Sequence, residues 1–174
     1  MEKDTKEFDL IISEIANNQT VQEMKKYKQH YDTSCYEHCK HVAYTSYIIC
    51  KKLKLDYKSA ARAGMLHDLF LYDWRKREDG RKGLHAFTHP KTAFENSKKL
   101  FDINEKEEDI ILKHMWPVTI KLPKYKESYI ITIADKYCAV SESCEHYLET
   151  IFSKKILKFA YIFLAMLLVK LINI

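Results

Sequence analysis

The sequence predicts an all-α, compact helical bundle, and three observations carry that expectation. Only 3 Gly and 3 Pro occur among 174 residues, which leaves few turn signals for a many-stranded sandwich or barrel. Apolar residues recur at helical spacing in successive segments. Ser34 with Glu37, and Asn104 with Glu107, have the spacing of reciprocal helix caps. The length suits one domain with a single core, and 47% hydrophobic with 30% charged residues argues for a folded chain rather than a disordered one.

Taken in order, residues 4 to 29 read as polar helices whose apolar face is marked by Phe8, Ile11, Ile12 and Ile15. They form most of an N-terminal helical extension, residues 1–33. The cap at Ser34 starts a helix near Cys35 that runs to about Leu53, with His38, Val42, Thr45 and Ile49 on its inward stripe. Asp56 can cap the next helix, whose Ala60, Ala61, Ala63 and Gly64 permit close packing just before His67. The polar stretch "DWRKREDGRKG", residues 73 to 83, reads as a loop or lid. A helix over 90 to 100 opens at Pro90, a residue suited to a first turn, and leaves His89 at its edge. The helix capped at Asn104 ends around His114, Met115 and Trp116, where Pro117 stops it. After a second loop at "LPKY", Ser128 is the expected cap of a helix through Val140, with Ile131, Ala134, Asp135 and Cys138 on one face.

The last segment, residues 151–174, is different. Its uninterrupted apolar run from Phe159 to Val169 is shorter than a membrane span needs, unless Lys158 and Lys170 snorkel. Three readings stay open: a closing helix on the domain, membrane contact through 156–174, or a partner helix. The charged start, "MEKDTKEFD", does not resemble a secretory signal, and the 5 cysteines form no C-x-x-C. Reduced thiols and a cytoplasmic location are the expectation. The net charge of +5 is spread along the chain. It suits a small anionic substrate such as a phosphate ester, and without a concentrated basic helix no nucleic-acid partner is expected. A homo-oligomer is left open.

Chemistry concentrates in "ARAGMLHDLFLYDW", residues 61 to 74, where His67 and Asp68 stand side by side in an apolar segment. An ionised carboxylate removed from water needs a partner charge, several donors or a metal. Asp135 is a second such carboxylate, in "IITIADKYCAV", and His38, His89 and His114 fall on inward stripes or helix edges. Imidazoles and carboxylates converging on one cavity suit divalent Fe, Mn, Co, Ni, Zn or Mg.

The ordered motifs "HCKHVA" at 38 to 43, "MLHD" at 65 to 68 and "IADK" at 133 to 136 resemble the HD-domain superfamily of metal-dependent phosphohydrolases. The resemblance covers roughly residues 34 to 145, within a domain expected over 34–150. It implies that His38, His67, Asp68 and Asp135 hold one metal. It further implies that His89 and His114 can hold a second, bridged by Asp68; a helix-edge His and a surface His are the plain alternatives for those two. Metal-activated water would attack a nucleotide or other small phosphate ester, with Asp68, Asp135 and Lys136 as the catalytic groups. Trp74, Arg75, His85 and Lys136 are candidate substrate contacts, joined in the lid by Arg77 and Arg81. His41 is expected to be exposed or to support the ligands, and His30 and His146 carry no assignment. The Gly-Tyr-Pro tripeptide of the cyclic-di-GMP branch is missing from "EDGRKGLHAF". Two other functions compete: a di-iron oxygenase on the same ligands, and a non-catalytic, membrane-tethered binding protein.

Overall fold

Helix α1 (Glu2–Ala16) sets the pattern of the fold by burying Phe8, Ile12 and Ile15 along one stripe while its exposed residues, Leu10 apart, are mostly polar. The computed structural model describes residues 2–76 and 82–151, with side chains as far as Cys144 and at Tyr147. Among them, α1 is followed by a single-turn α2 (Gln19–Gln22), α3 (Cys35–Lys52), α4 (Tyr57–Leu66), α5 (His85–Leu100), α6 (Glu105–Lys113) and α7 (Lys126–Ile151). A 3-10 turn (Glu23–Lys26) and a small antiparallel ribbon, β1 (Lys28–His30) with β2 (Thr33–Ser34), link α2 to α3. The architecture is all-α. One core, containing Phe8, Tyr47, Met65, Leu69, Phe70, Ile110 and Ile131, lies between the helices.

Helix starts follow the side-chain chemistry expected of them. Ser34 Oγ accepts from Glu37 N at 3.2 Å, and Glu37 Oε2 accepts from Ser34 N at 2.9 Å. Asn104 and Glu107 repeat the arrangement at α6, and Asp56 accepts from Ser59 N at 3.0 Å to start α4.

Four boundaries differ from the sequence reading. Helix does not persist through residue 29: Asn18 caps a new short helix by accepting from Thr20 N, and Tyr31, at φ 48, reverses the chain between β1 and β2. Pro90 lies inside α5 rather than at its start, at the cost of one backbone hydrogen bond. The helix reaches back to His85 and so puts His85 and His89 on one face. Ser128 is not a cap, because its hydroxyl donates to Asp109 at 2.7 Å and α7 already begins at Lys126. That helix also continues past Val140 to Ile151. Residues 152–174, Arg77 and Arg81 lie outside the described residues. Among the described residues, no helix is long and apolar enough to cross a membrane.

The approach of α3 to α4 positions the site. A Cβ on Gly64 would lie 2.7 Å from the Cα of Ala43, so only glycine lets the two backbones come this close. Polar contacts pin the helix ends around this pair. Arg62 Nε donates to Glu107 at 2.7 Å, and Lys106 reaches both Asp56 at 3.2 Å and Glu127 at 2.9 Å. Asp109 accepts from Ser128 Oγ and Lys124 N and pairs with Lys113.

Two expectations follow from this packing. Because the atom facing Gly64 is backbone, Gly64→Ala is expected to cost about 1–3 kcal/mol, read as a lowered denaturation midpoint. An unchanged midpoint would contradict the close approach. The second concerns acid. Burial favours neutral carboxyls at Asp109 and Glu127, but Lys113, Ser128 and the Lys124 N–H at the first, and Lys106 and the Asp56 N–H at the second, outweigh it and lower both pKa values. A carboxylate with a lowered folded-state pKa stabilises fully above its unfolded value, roughly pH 4, and loses that contribution as pH falls toward the folded value. Asp109→Asn is therefore expected to lose about 1–3 kcal/mol at neutral pH, with the gap to wild type narrowing below about pH 4. Urea midpoints at pH 7 and pH 3 provide the check, and a gap that does not change with pH would contradict it.

Candidate metal centre

The helices deliver six polar side chains to one place. His38 comes from the first turn of α3, His67 and Asp68 from the residues just after α4, His89 from α5, His114 from just after α6 and Asp135 from α7. Asp68 is 3% exposed and all four histidines are buried. Helix α4 stops at Leu66, and Leu69 N donates back to Leu66 O at 3.1 Å. That turn lets the neighbours His67 and Asp68 both point inward.

Two sets of ligand atoms stand side by side. His38 Nε2 is 3.1 Å from Asp135 Oδ1, and His67 Nε2 is 3.8 Å from the same oxygen. Asp68 Oδ1 is 3.1 Å from His89 Nε2 and 3.5 Å from His114 Nε2, while its Oδ2 is 3.6 Å from His67 Nε2. In the groups His38–His67–Asp135 and Asp68–His89–His114, the ligand atoms lie within 4.8 Å of one another. A third such group, His30–His38–Glu142, overlaps the first at His38.

The outer nitrogens explain how the rings are aimed. His67 Nδ1 donates to Gly64 O at 2.7 Å, His89 Nδ1 to His85 O at 2.8 Å, and His114 Nδ1 to Ile111 O at 2.9 Å. The carbonyls of a helix's last turn have no helical donor, so His67 and His114 satisfy one each while turning Nε2 inward. An imidazole whose Nδ1 carries the proton offers a lone pair at Nε2. His38 differs, because its Nδ1 faces Glu142 Oε2 at 3.0 Å.

Charges in the cluster respond strongly to one another. Burial opposes an imidazolium at His38, but Asp135 and Glu142 outweigh it and raise its pKa well above the ordinary range. At His67, burial is outweighed by Asp68 and by Asp135. Burial and the neighbouring His89 and His67 push His114 down to about 3. Asp68 and Asp135 are held below their usual range despite burial, by the surrounding histidines. Histidines hydrogen-bonded to Glu142 likewise overcome its burial and bring it down to about 2.

Above the cluster lies a cavity of about 250 Å³ lined by Asp68, His89, His114, Asp135, Lys136, Trp74 and His85, among others. Trp74 stacks on His85 and His85 on His89, with centroids 5.5 and 4.5 Å apart. Lys136 Nζ is 3.6 Å from Asp135 Oδ2 and donates to His114 O at 3.3 Å. Arg75 is not brought to this cavity; its Nε donates to Asp73 at 3.1 Å instead. A larger hollow of about 600 Å³ lies on the α1–α3–α7 side, against His41 and Glu142, but it is not lined by His67, Asp68, His89 or Asp135.

Three residues at the site escaped the sequence reading. Gln29 Nε2 donates to Asp68 Oδ2 at 2.6 Å, and the His30 ring lies 5.0 Å from that of His38. Both belong to β1, whose short pattern carries no periodic signal. Glu142 binds His38 and His41, and it stands seven residues after Asp135, two helical turns along the same face. That spacing is the signal that could have found it.

The residues fit a divalent cation. Asp68 Oδ1 and His67 Nε2 are buried without a hydrogen-bond partner. The Nε2 atoms of His89 and His114 approach to 2.8 Å although each ring's Nδ1 faces a carbonyl. Facing lone pairs repel unless a proton or cation lies between them, and mixed imidazole–carboxylate sets suit first-row divalent metals. No curated protein and no solved structure matches the chain. The HD domain family model matches residues 35–140, more than half of the sequence. The ordered histidines and aspartates thus sit within a matched domain, and the chain belongs to the HD-domain family, within the superfamily of metal-dependent phosphohydrolases.

Proposed function

We propose that the chain hydrolyses a small phosphate ester, with nucleotides the leading class, using one or two divalent cations held by His38, His67, Asp68, His89, His114 and Asp135. The observation that carries this reading is the convergence of four imidazole Nε2 atoms and two carboxylates beneath one small cavity. A divalent cation bound there acidifies water and neutralises charge on phosphoryl oxygens. Asp68 supports a two-cation arrangement, since Oδ1 faces His89 and His114 while Oδ2 faces His67. Asp135 balances charge beside His38 and His67.

The remaining groups bind and orient the ester. Lys136, on the cavity wall, supplies a cation for a phosphoryl oxygen. Trp74 Nε1 is buried with no hydrogen-bond partner and so has a donor to give a substrate. The Trp74–His85 stack offers a flat surface for a base or another planar group. A cavity of about 250 Å³ favours a small ester over a polymer. Of the substrate contacts expected from the sequence, Arg75 has the least support, because Asp73 engages it.

Elemental analysis of protein purified without a chelating step should find bound divalent metal, and a screen of nucleotides and phosphate esters with each candidate metal should release phosphate. Asp68→Ala is expected to lose the metal and to lower turnover by at least about 100-fold, since a Lewis acid contributes several kcal/mol to the barrier. Oxygen uptake by the iron-loaded protein, with no phosphate released under any metal, would replace hydrolysis with oxygenase chemistry.

A further inference from the structure

We infer that Glu142 is a positioning residue of the metal centre: it clamps the His38 ring so that Nε2 faces the ligand cluster. The inference rests on the metal site proposed above, though not on the reaction performed there. Glu142 is only 6% exposed, and its oxygens divide between two histidines. Oε2 lies 3.0 Å from His38 Nδ1, and Oε1 lies 3.0 Å from His41 Nδ1.

His38 is held differently from the other three rings. His67, His89 and His114 tether Nδ1 to carbonyls of their own helices. In the first turn of α3, His38 turns Nδ1 to a carboxylate rather than to a carbonyl of its own helix. That acceptor comes from α7. Asp135 and Glu142, two turns apart on that helix, take opposite edges of the ring, at 3.1 Å from Nε2 and 3.0 Å from Nδ1. The imidazole is held at both nitrogens from a single rigid element.

The geometry also separates this role from that of a ligand. His30, His38 and Glu142 could together surround an ion, but His38 would then have to spend Nδ1 on it. The Nε2 edge of His38 meets Asp135 and His67, the set that stands beside Asp68. A ring bound to metal through Nε2 keeps its Nδ1 proton, and an oxygen accepting that proton fixes the tautomer and the orientation of the ring. His41, with its side chain 60% exposed, holds the other oxygen of Glu142 from the solvent side.

Two conservative variants of the full chain separate reach from charge. Glu142→Gln keeps an oxygen within reach of His38 Nδ1–H and removes the charge. Glu142→Asp keeps the charge and withdraws it by one methylene. With Mn2+ affinity measured by competition with a fluorescent chelator, Glu142→Asp is expected to bind about 10–100-fold more weakly and Glu142→Gln within about threefold of wild type. Wild-type affinity in both variants, or a loss confined to Glu142→Gln, would overturn the positioning role. Wild-type protein that takes up Mn2+ but releases no phosphate would sink only the hydrolytic reading, whereas failure of wild type to bind any divalent cation would sink both.

Discussion

Burial of Asp68 is the constraint on which the rest of the structure depends. Its carboxylate is almost wholly removed from water, one oxygen is held by Gln29, and the other has no hydrogen-bond partner. An isolated charge in that position would cost several kcal/mol. Helices α4, α5 and α6 answer by turning His67, His89 and His114 toward it, and α3 and α7 extend the cluster with His38 and Asp135. Each ring is fixed by an Nδ1 contact before it reaches the centre. The result is a set of inward lone pairs whose orientation does not depend on the substrate.

Helix spacing serves the same end. Because Gly64 lets α4 press against Ala43 of α3, the His38 and His67 rings come within 5.6 Å of each other. The core beneath them is apolar, with Cys35, Cys39, Leu66 and Leu69 all fully buried, so mistakes in spacing cannot be repaired by water. Ionic contacts that fix the helix ends, Arg62–Glu107 and Lys106–Glu127, lie away from the centre and spare it competing charges. The hairpin at residues 28–34 then closes one side, adding Gln29 and His30.

How much of this was legible in the sequence depends on the range of the contact that makes each feature. Local chemistry was readable: the caps at Ser34, Asp56 and Asn104 lie where their side chains place them. The inward course of His38, His67, Asp68 and Asp135 could be read because polar groups interrupted apolar stripes. Contacts across the fold were not readable. Ser128 looks like a cap in isolation, but a buried Asp109 claims its hydroxyl. Glu142 sits in "AVSESCEH", which reads as an ordinary solvated face until His38 and His41 are placed against it. Pro90 misled for the opposite reason. Its first-turn preference is real but weak beside the packing of His89 and Ala93, which are buried on the same helix.

Electrostatics imposes an order on what the site can bind. Without a cation, the carboxylates favour protons on His38 and His67. Once those rings are neutral, as metal binding requires, Asp68 and Asp135 leave two negative charges at the cavity floor, and Glu142 adds a third behind His38. Lys136 offsets little of this, being 45% exposed and already shared with Asp135 and the His114 carbonyl. A phosphate ester approaching that floor meets like charge at short range in a poorly screened environment. One divalent cation would offset two of those three charges and a pair would reverse the sign, so that Lys136 and the Trp74 indole N–H would act with the cations in drawing an anion to the cavity. On the function proposed above, cation before phosphate ester is the order that these charges favour once the histidines are neutral.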